Sequence, residues 1–127
     1  IMVLSLFPGI QANIFKHALD APELKGVVMR SFGSGNAPQQ SWLIETLKKA
    51  SQRGVSIVNI SQCVTGFVEM GRYDTGYQLK GTGVISGQDC TVEAAVTKLM
   101  YLYGRYGDDT KTIRELLSIP LVGEFQI

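Results

Sequence analysis

Arg30, Ser31, Phe32, Gly33, Ser34, Gly35 and Asn36 form the stretch best equipped for chemistry. A guanidinium offers a planar fork of N–H donors that suits a carboxylate. Gly33 and Gly35 let the backbone come close to a ligand, and Asn36 stands where a helix would begin. A helix N-terminus supplies free N–H groups and partial positive charge. The stretch therefore reads as a small-ligand turn. The plainer reading is a tight strand-to-helix turn that needs glycine for its backbone angles. Pro38 stands where a dinucleotide-binding G-x-G-x-x-G would place its third glycine, and no Gly-Lys-Ser/Thr follows as in a phosphate loop.

A second group, Ser61-Gln62-Cys63-Val64-Thr65-Gly66, brings hydroxyl, amide and thiol groups to one turn. A thiol in such a setting is more often a packing residue than a reactive one. His17 lies within helical sequence without a partnered Ser or Cys motif, which predicts an exposed helix histidine. Solvation accounts for Glu69, Asp74 and Asp89, and the tyrosines at 73, 77, 101, 103 and 106 suit core or interface equally. Nothing supplies an activated nucleophile together with a base and an orienting group. The chain is thus expected to lack a complete catalytic centre.

The elements that must carry these groups are legible in outline. Met2 to Phe7 is an apolar run closed by Pro8-Gly9, Val27-Val28-Met29 begins a second strand, and Val55 to Ile60 is a third, rich in β-branched residues. Between the first two strands, Ile10, Ile14, Ala18, Phe15 and Leu19 make a helical stripe. Between the second and third, Leu43, Leu47 and Ala50 make another, with Asn36 as cap and Pro38 in the first turn. Glu45 and Lys49 form a favourable i,i+4 pair, and Gly54 stands at the C′ position.

Strand, helix, strand, helix, strand predicts parallel βαβ units. The expected fold class is α/β, three-layered, with a mainly parallel sheet of about four strands flanked by helices. The strands should include residues near 2–6, 26–30 and 55–60. Arg30 and Cys63 then open on one carboxyl edge, where α/β sheets bind ligands. Residues 61–88 break the rhythm with six glycines, from Gly66 to Gly87, and such a long connection is usually functional or packed against something else. A helical face follows at Val92, Ala95, Val96, Leu99 and Leu102. A short helix capped at Asp108-Asp109 carries Ile113, Leu116 and Leu117, and after Pro120 the tail is expected to be extended.

At 127 residues the chain fits one domain able to bury a core without staples. A net charge of +1 with no basic run longer than Lys48-Lys49 argues against nucleic acid. No apolar stretch is long enough to span a bilayer. Two cysteines, Cys63 and Cys90, favour a reducing compartment, and with one histidine a closed zinc site is not expected. Beginning at Ile1, the chain is expected to be a piece of a longer protein.

Leu6-Phe7-Pro8-Gly9, the run Met29 to Pro38, Ile60-Ser61-Gln62-Cys63, Gly83-Val84-Ile85-Ser86-Gly87 and Thr91-Val92-Glu93-Ala94 occur in that order. As a set they closely resemble the C-terminal domain of cytoplasmic, type I L-asparaginases, over essentially the whole chain to Gly123-Glu124. The resemblance implies a parent enzyme hydrolysing L-asparagine to L-aspartate and ammonia without metal or cofactor. The family's catalytic threonines, aspartate and lysine belong to an N-terminal domain absent here, so residues 1–127 would be inert alone. It also implies a cytoplasmic homodimer or tetramer.

Residue by residue, Asn36 matches the position that approaches a neighbouring subunit's substrate. Arg30 and Cys63 match positions lining an allosteric asparagine site, where Val92 is expected to add a backbone contact. A threonine of the missing domain would complete that site. The alternative is a free-standing small-molecule-binding or interaction module of flavodoxin-like topology.

Overall fold

The computed structural model describes residues 1–7, 9–31, 41–61, 79 and 81–125. Four strands make one sheet: β1 (Met2–Ser5), β2 (Gly26–Ser31), β3 (Ser56–Ser61) and β4 (Ile85–Ser86). They lie side by side in the order β1-β2-β3-β4, and every pairing is parallel. Four helices accompany them among the described residues: α1 (Ala12–Leu19), α2 (Ser41–Gln52), α3 (Val92–Tyr106) and α4 (Thr110–Leu117). The expected three-layer α/β arrangement is the one observed. β4 was hidden in the glycine-rich stretch, because two residues are too few to show an alternating pattern.

Strand alternation sends successive side chains to opposite faces. Val27, Met29 and Ile57 join Phe15 and Leu19 of α1 and Leu43, Leu47 and Ala50 of α2 in one core. Val28, Val58 and Ile60 join Ala95, Leu99 and Leu102 of α3 and Ile113 and Leu117 of α4 in the other. Each fully buried Val, Leu, Ile, Met or Phe among them contributes about 1.5–3 kcal/mol. Strands covered on both faces account for the apolar runs read from the sequence.

Local signals set the ends of the elements. Gly54 adopts φ +98° just beyond α2, as a C′ glycine does. The Thr91 hydroxyl accepts the Ala94 N–H at 3.1 Å and caps α3. Asp109 caps α4, accepting the Thr112 N–H at 3.2 Å and the Thr112 hydroxyl at 2.8 Å. The Glu45–Lys49 pair forms at 3.0 Å on the exposed face of α2. The expected Asn36 cap and Pro38 first turn lie outside the described residues.

Two expectations are corrected. Ile14 is 66% exposed, whereas Phe15 and Leu19 are buried. With only two turns, α1 presents one narrow face to the sheet, and Ile14 lies off it. The tail after Pro120 is folded back rather than extended. Glu124 accepts the backbone N–H groups of Leu121 and Val122, and Gly123 takes φ +81° in the resulting turn. The turn delivers Phe125 to a buried place, with Lys98 Nζ 4.7 Å from its ring centre.

Candidate functional site at the carboxyl edge

The carboxyl ends of β2 and β3 are in register, with Arg30 opposite Ile60 and Ser31 opposite Ser61. Arg30 is half-buried, and its carbonyl accepts the Leu6 N–H at 2.9 Å, so β1 also continues to this edge. By alternation Arg30 shares its face with Val28, the face that α3 covers. Val92, the first residue of α3, packs half-buried against that same cluster. Arg30 and Val92 therefore belong to the same side of the sheet. Asn36 and Cys63, the other two sequence-predicted site residues, lie outside the described residues.

A turn of restricted geometry joins β4 to α3. Gln88 has φ +55°, a conformation that side chains other than glycine adopt rarely. Its N–H reaches Ser86 Oγ at 3.2 Å, and the Cys90 N–H reaches Gly87 O at 3.0 Å. Thr91 then caps α3. The helix N-terminus beside Val92 is thus reached from the carboxyl edge by a short hydrogen-bonded turn.

Sequence reasoning passed over two side chains here. Ser31 and Asn59 are fully buried, next to the apolar residues Met29, Val58 and Ile60 of the same two strands. The Ser31 hydroxyl donates to Asn59 Oδ1 at 2.6 Å, with Ile60 O a second acceptor at 3.2 Å. The signal was available: a polar amide in the centre of an apolar strand needs a partner.

Other candidates resolve as structural groups. His17 is exposed on α1, its Nδ1 2.7 Å from Asn13 O. Cys90 is a half-buried free thiol, and burial pushes it above its usual range although Lys98 pulls it down. Among the described residues no cluster of three His, Cys, Asp or Glu side chains is arranged to hold a metal ion. A cavity of about 380 Å³ lies between α3 and the tail, against Tyr101, Leu121 and Val122. Its polar floor, Lys98 and Glu124, is engaged in internal bonds.

The family model of the Glutaminase/Asparaginase C-terminal domain matches residues 1–117. The chain belongs to this family. Glutaminase/asparaginase C-terminal domains thus account for the sheet and all four described helices. Over 122 residues the chain is 46% identical to L-asparaginase 1 of Escherichia coli K12, covering 96% of this chain and 36% of that protein. Over 122 residues it is 45% identical to the human 60 kDa lysophospholipase, covering 96% of this chain and 21% of that protein. The crystal structure of L-asparaginase I from Vibrio cholerae superposes with a TM-score of 0.92 at 38% identity, covering 99% of this chain and 38% of that one. The chain spans little more than a third of these asparaginases, and less of the human protein. No helix among the described residues is long and apolar enough to cross a membrane.

Proposed function

We propose that the chain is the C-terminal domain of an L-asparaginase, an amidohydrolase converting L-asparagine to L-aspartate and ammonia in the cytoplasm. Its nucleophile resides in an N-terminal catalytic domain outside these 127 residues. The family match across residues 1–117 carries this reading, supported by the likeness to two enzymes named L-asparaginase 1 and L-asparaginase I. The domain serves subunit assembly in a homodimer or tetramer, and Asn36 reaches the edge of a neighbouring active site.

Arg30, Cys63 and Val92 form this domain's share of an asparagine effector pocket. The placement of Arg30 and Val92 on one side of the sheet supports it. Arg30 meets the effector carboxylate in a charge-assisted pair worth about 1.5–3 kcal/mol. No cofactor is required by this reading.

The experiment has two parts. The full-length protein should release ammonia from asparagine, while residues 1–127 alone should not. Turnover by residues 1–127 alone would misplace the catalytic centre. Ester hydrolysis by the full-length protein without ammonia release would favour the chemistry named for the human relative. In the full-length protein, Arg30→Ala should weaken effector binding by about 10–150-fold. An unchanged saturation curve would remove the effector pocket.

A further inference from the structure

Asn59 links β3 to its neighbours on both sides. Its side chain takes the Ser31 hydroxyl hydrogen bond at 2.6 Å, tying β3 to the end of β2 immediately beside Arg30. Its backbone carbonyl accepts the Gly87 N–H at 2.8 Å, tying β3 to the turn that leads into α3 and Val92. The second approach is close: a Cβ at Gly87 would stand 2.6 Å from Ile60 Cγ2 and 3.0 Å from Val58 Cγ1. One buried residue thus bonds both to the strand that carries Arg30 and to the turn that leads into α3.

An apolar pair would fill the same space without the desolvation cost of two polar side chains. What the polar pair adds is directionality, since a satisfied buried hydrogen bond specifies one arrangement of the strands that carry it. Directionality matters most where groups from separate segments must hold one ligand. Loosening such a support by about 1 Å is enough to lose binding.

We infer that Ser31, Asn59 and Gly87 form a positioning junction that presets the distance between Arg30 and the α3 N-terminus for an amino-acid effector. The inference rests on the effector reading of Arg30 and Val92 proposed above. Ser31 and Asn59 are positioning residues: they act through their neighbours and touch no ligand.

The test uses the full-length protein with asparagine as the probe. The half-saturation and cooperativity of ammonia release are recorded beside the thermal midpoint without ligand. Ser31→Ala removes the donor with little change of volume and should shift half-saturation or cooperativity by about 2–10-fold. Ser31→Thr, which restores the hydroxyl, should recover part of the shift. Gly54→Ala is the stability control. It strains the φ +98° turn at the opposite, amino edge of the sheet and should lower the thermal midpoint without moving the curve. Should Ser31→Ala fail to fold, Ser31→Cys, with a weaker donor of similar size, takes its place with the same expected direction. A lowered midpoint with a wild-type curve in the Ser31 variant, while Arg30→Ala does move the curve, overturns the junction alone. A wild-type curve in Arg30→Ala overturns the effector reading and the junction with it.

Discussion

Lys98 Nζ lies 2.6 Å from Glu124 Oε2, and the two side chains are only 6% and 7% exposed. The ammonium also donates to Ile119 O at 2.7 Å and Leu117 O at 3.4 Å, so each of its protons has an acceptor. The pair binds the returning tail to the middle of α3. A buried pair contributes modestly against an apolar replacement, but removing one partner strands the other charge. Glu124→Ala should therefore destabilise the protein by about 3–5 kcal/mol, and Glu124→Ala with Lys98→Met by clearly less. Urea unfolding of the two variants measures the difference. Equal losses would mean that Lys98 finds other solvation.

The same pair sets an acid limit. Burial raises the Glu124 carboxyl, but Lys98 and the N–H groups of Val122 and Leu121 outweigh it and bring it from 4.5 to about 2. A depressed folded-state pKa stabilises above the unfolded value and fails below it. The contribution, about 3 kcal/mol, should be complete above about pH 5.5 and lost as pH falls from there toward 2. Thermal midpoints between pH 7 and 2.5 should show this fall, and the Glu124→Ala variant should lack this part of it.

Gly83 has φ +91°, and a Cβ there would collide with the Ser51 side chain at the end of α2. Backbone strain and steric conflict act together, so Gly83→Ala should cost more than about 2 kcal/mol. Ser51→Gly in the same chain should restore part of the loss by removing the obstacle. Independent, additive effects in a double-mutant cycle would show that the two positions do not compete for space.

Gln88 holds φ +55° without being glycine. The left-handed region costs an ordinary L-residue about 1–2 kcal/mol, while glycine pays in unfolded-state entropy instead. Gln88→Gly should raise stability by about 0.5–1 kcal/mol. A lowered thermal midpoint would mean that the Gln88 side chain makes a contribution larger than the strain it imposes.

Helix ends and strand cores were legible because their signals are local. Gly54 announces the end of α2, Asp109 the start of α4, and Val55 to Ile60 the third strand, each from a few adjacent residues. Lys98 and Glu124 were not, since their pairing depends on a tail that doubles back across α3. Nothing in the neighbourhood of either residue marks it as buried. Ile14 failed for a related reason: a two-turn helix offers more than one apolar stripe, and the sheet selects Phe15 and Leu19. At the candidate site, the place of Arg30 at the end of β2 was legible from its strand-to-loop position, while Val92 was singled out only through the family resemblance. Asn59 carried a signal of its own, an amide in an apolar run, but its partner on β2 becomes apparent only when the register is known.

Doubly wound sheets reverse their strand order partway, and the reversal leaves a ready-made crevice between diverging loops. Here the described strands follow one another in sequence order, and both α1 and α2 lie on the same side. No reversal interrupts the order of the described strands, so the strand order itself opens no crevice at the carboxyl edge. A ligand resting there needs a roof from the loops or from other protein surface. Any pocket proposed at that edge takes its floor from the strands and its depth from whatever closes over them.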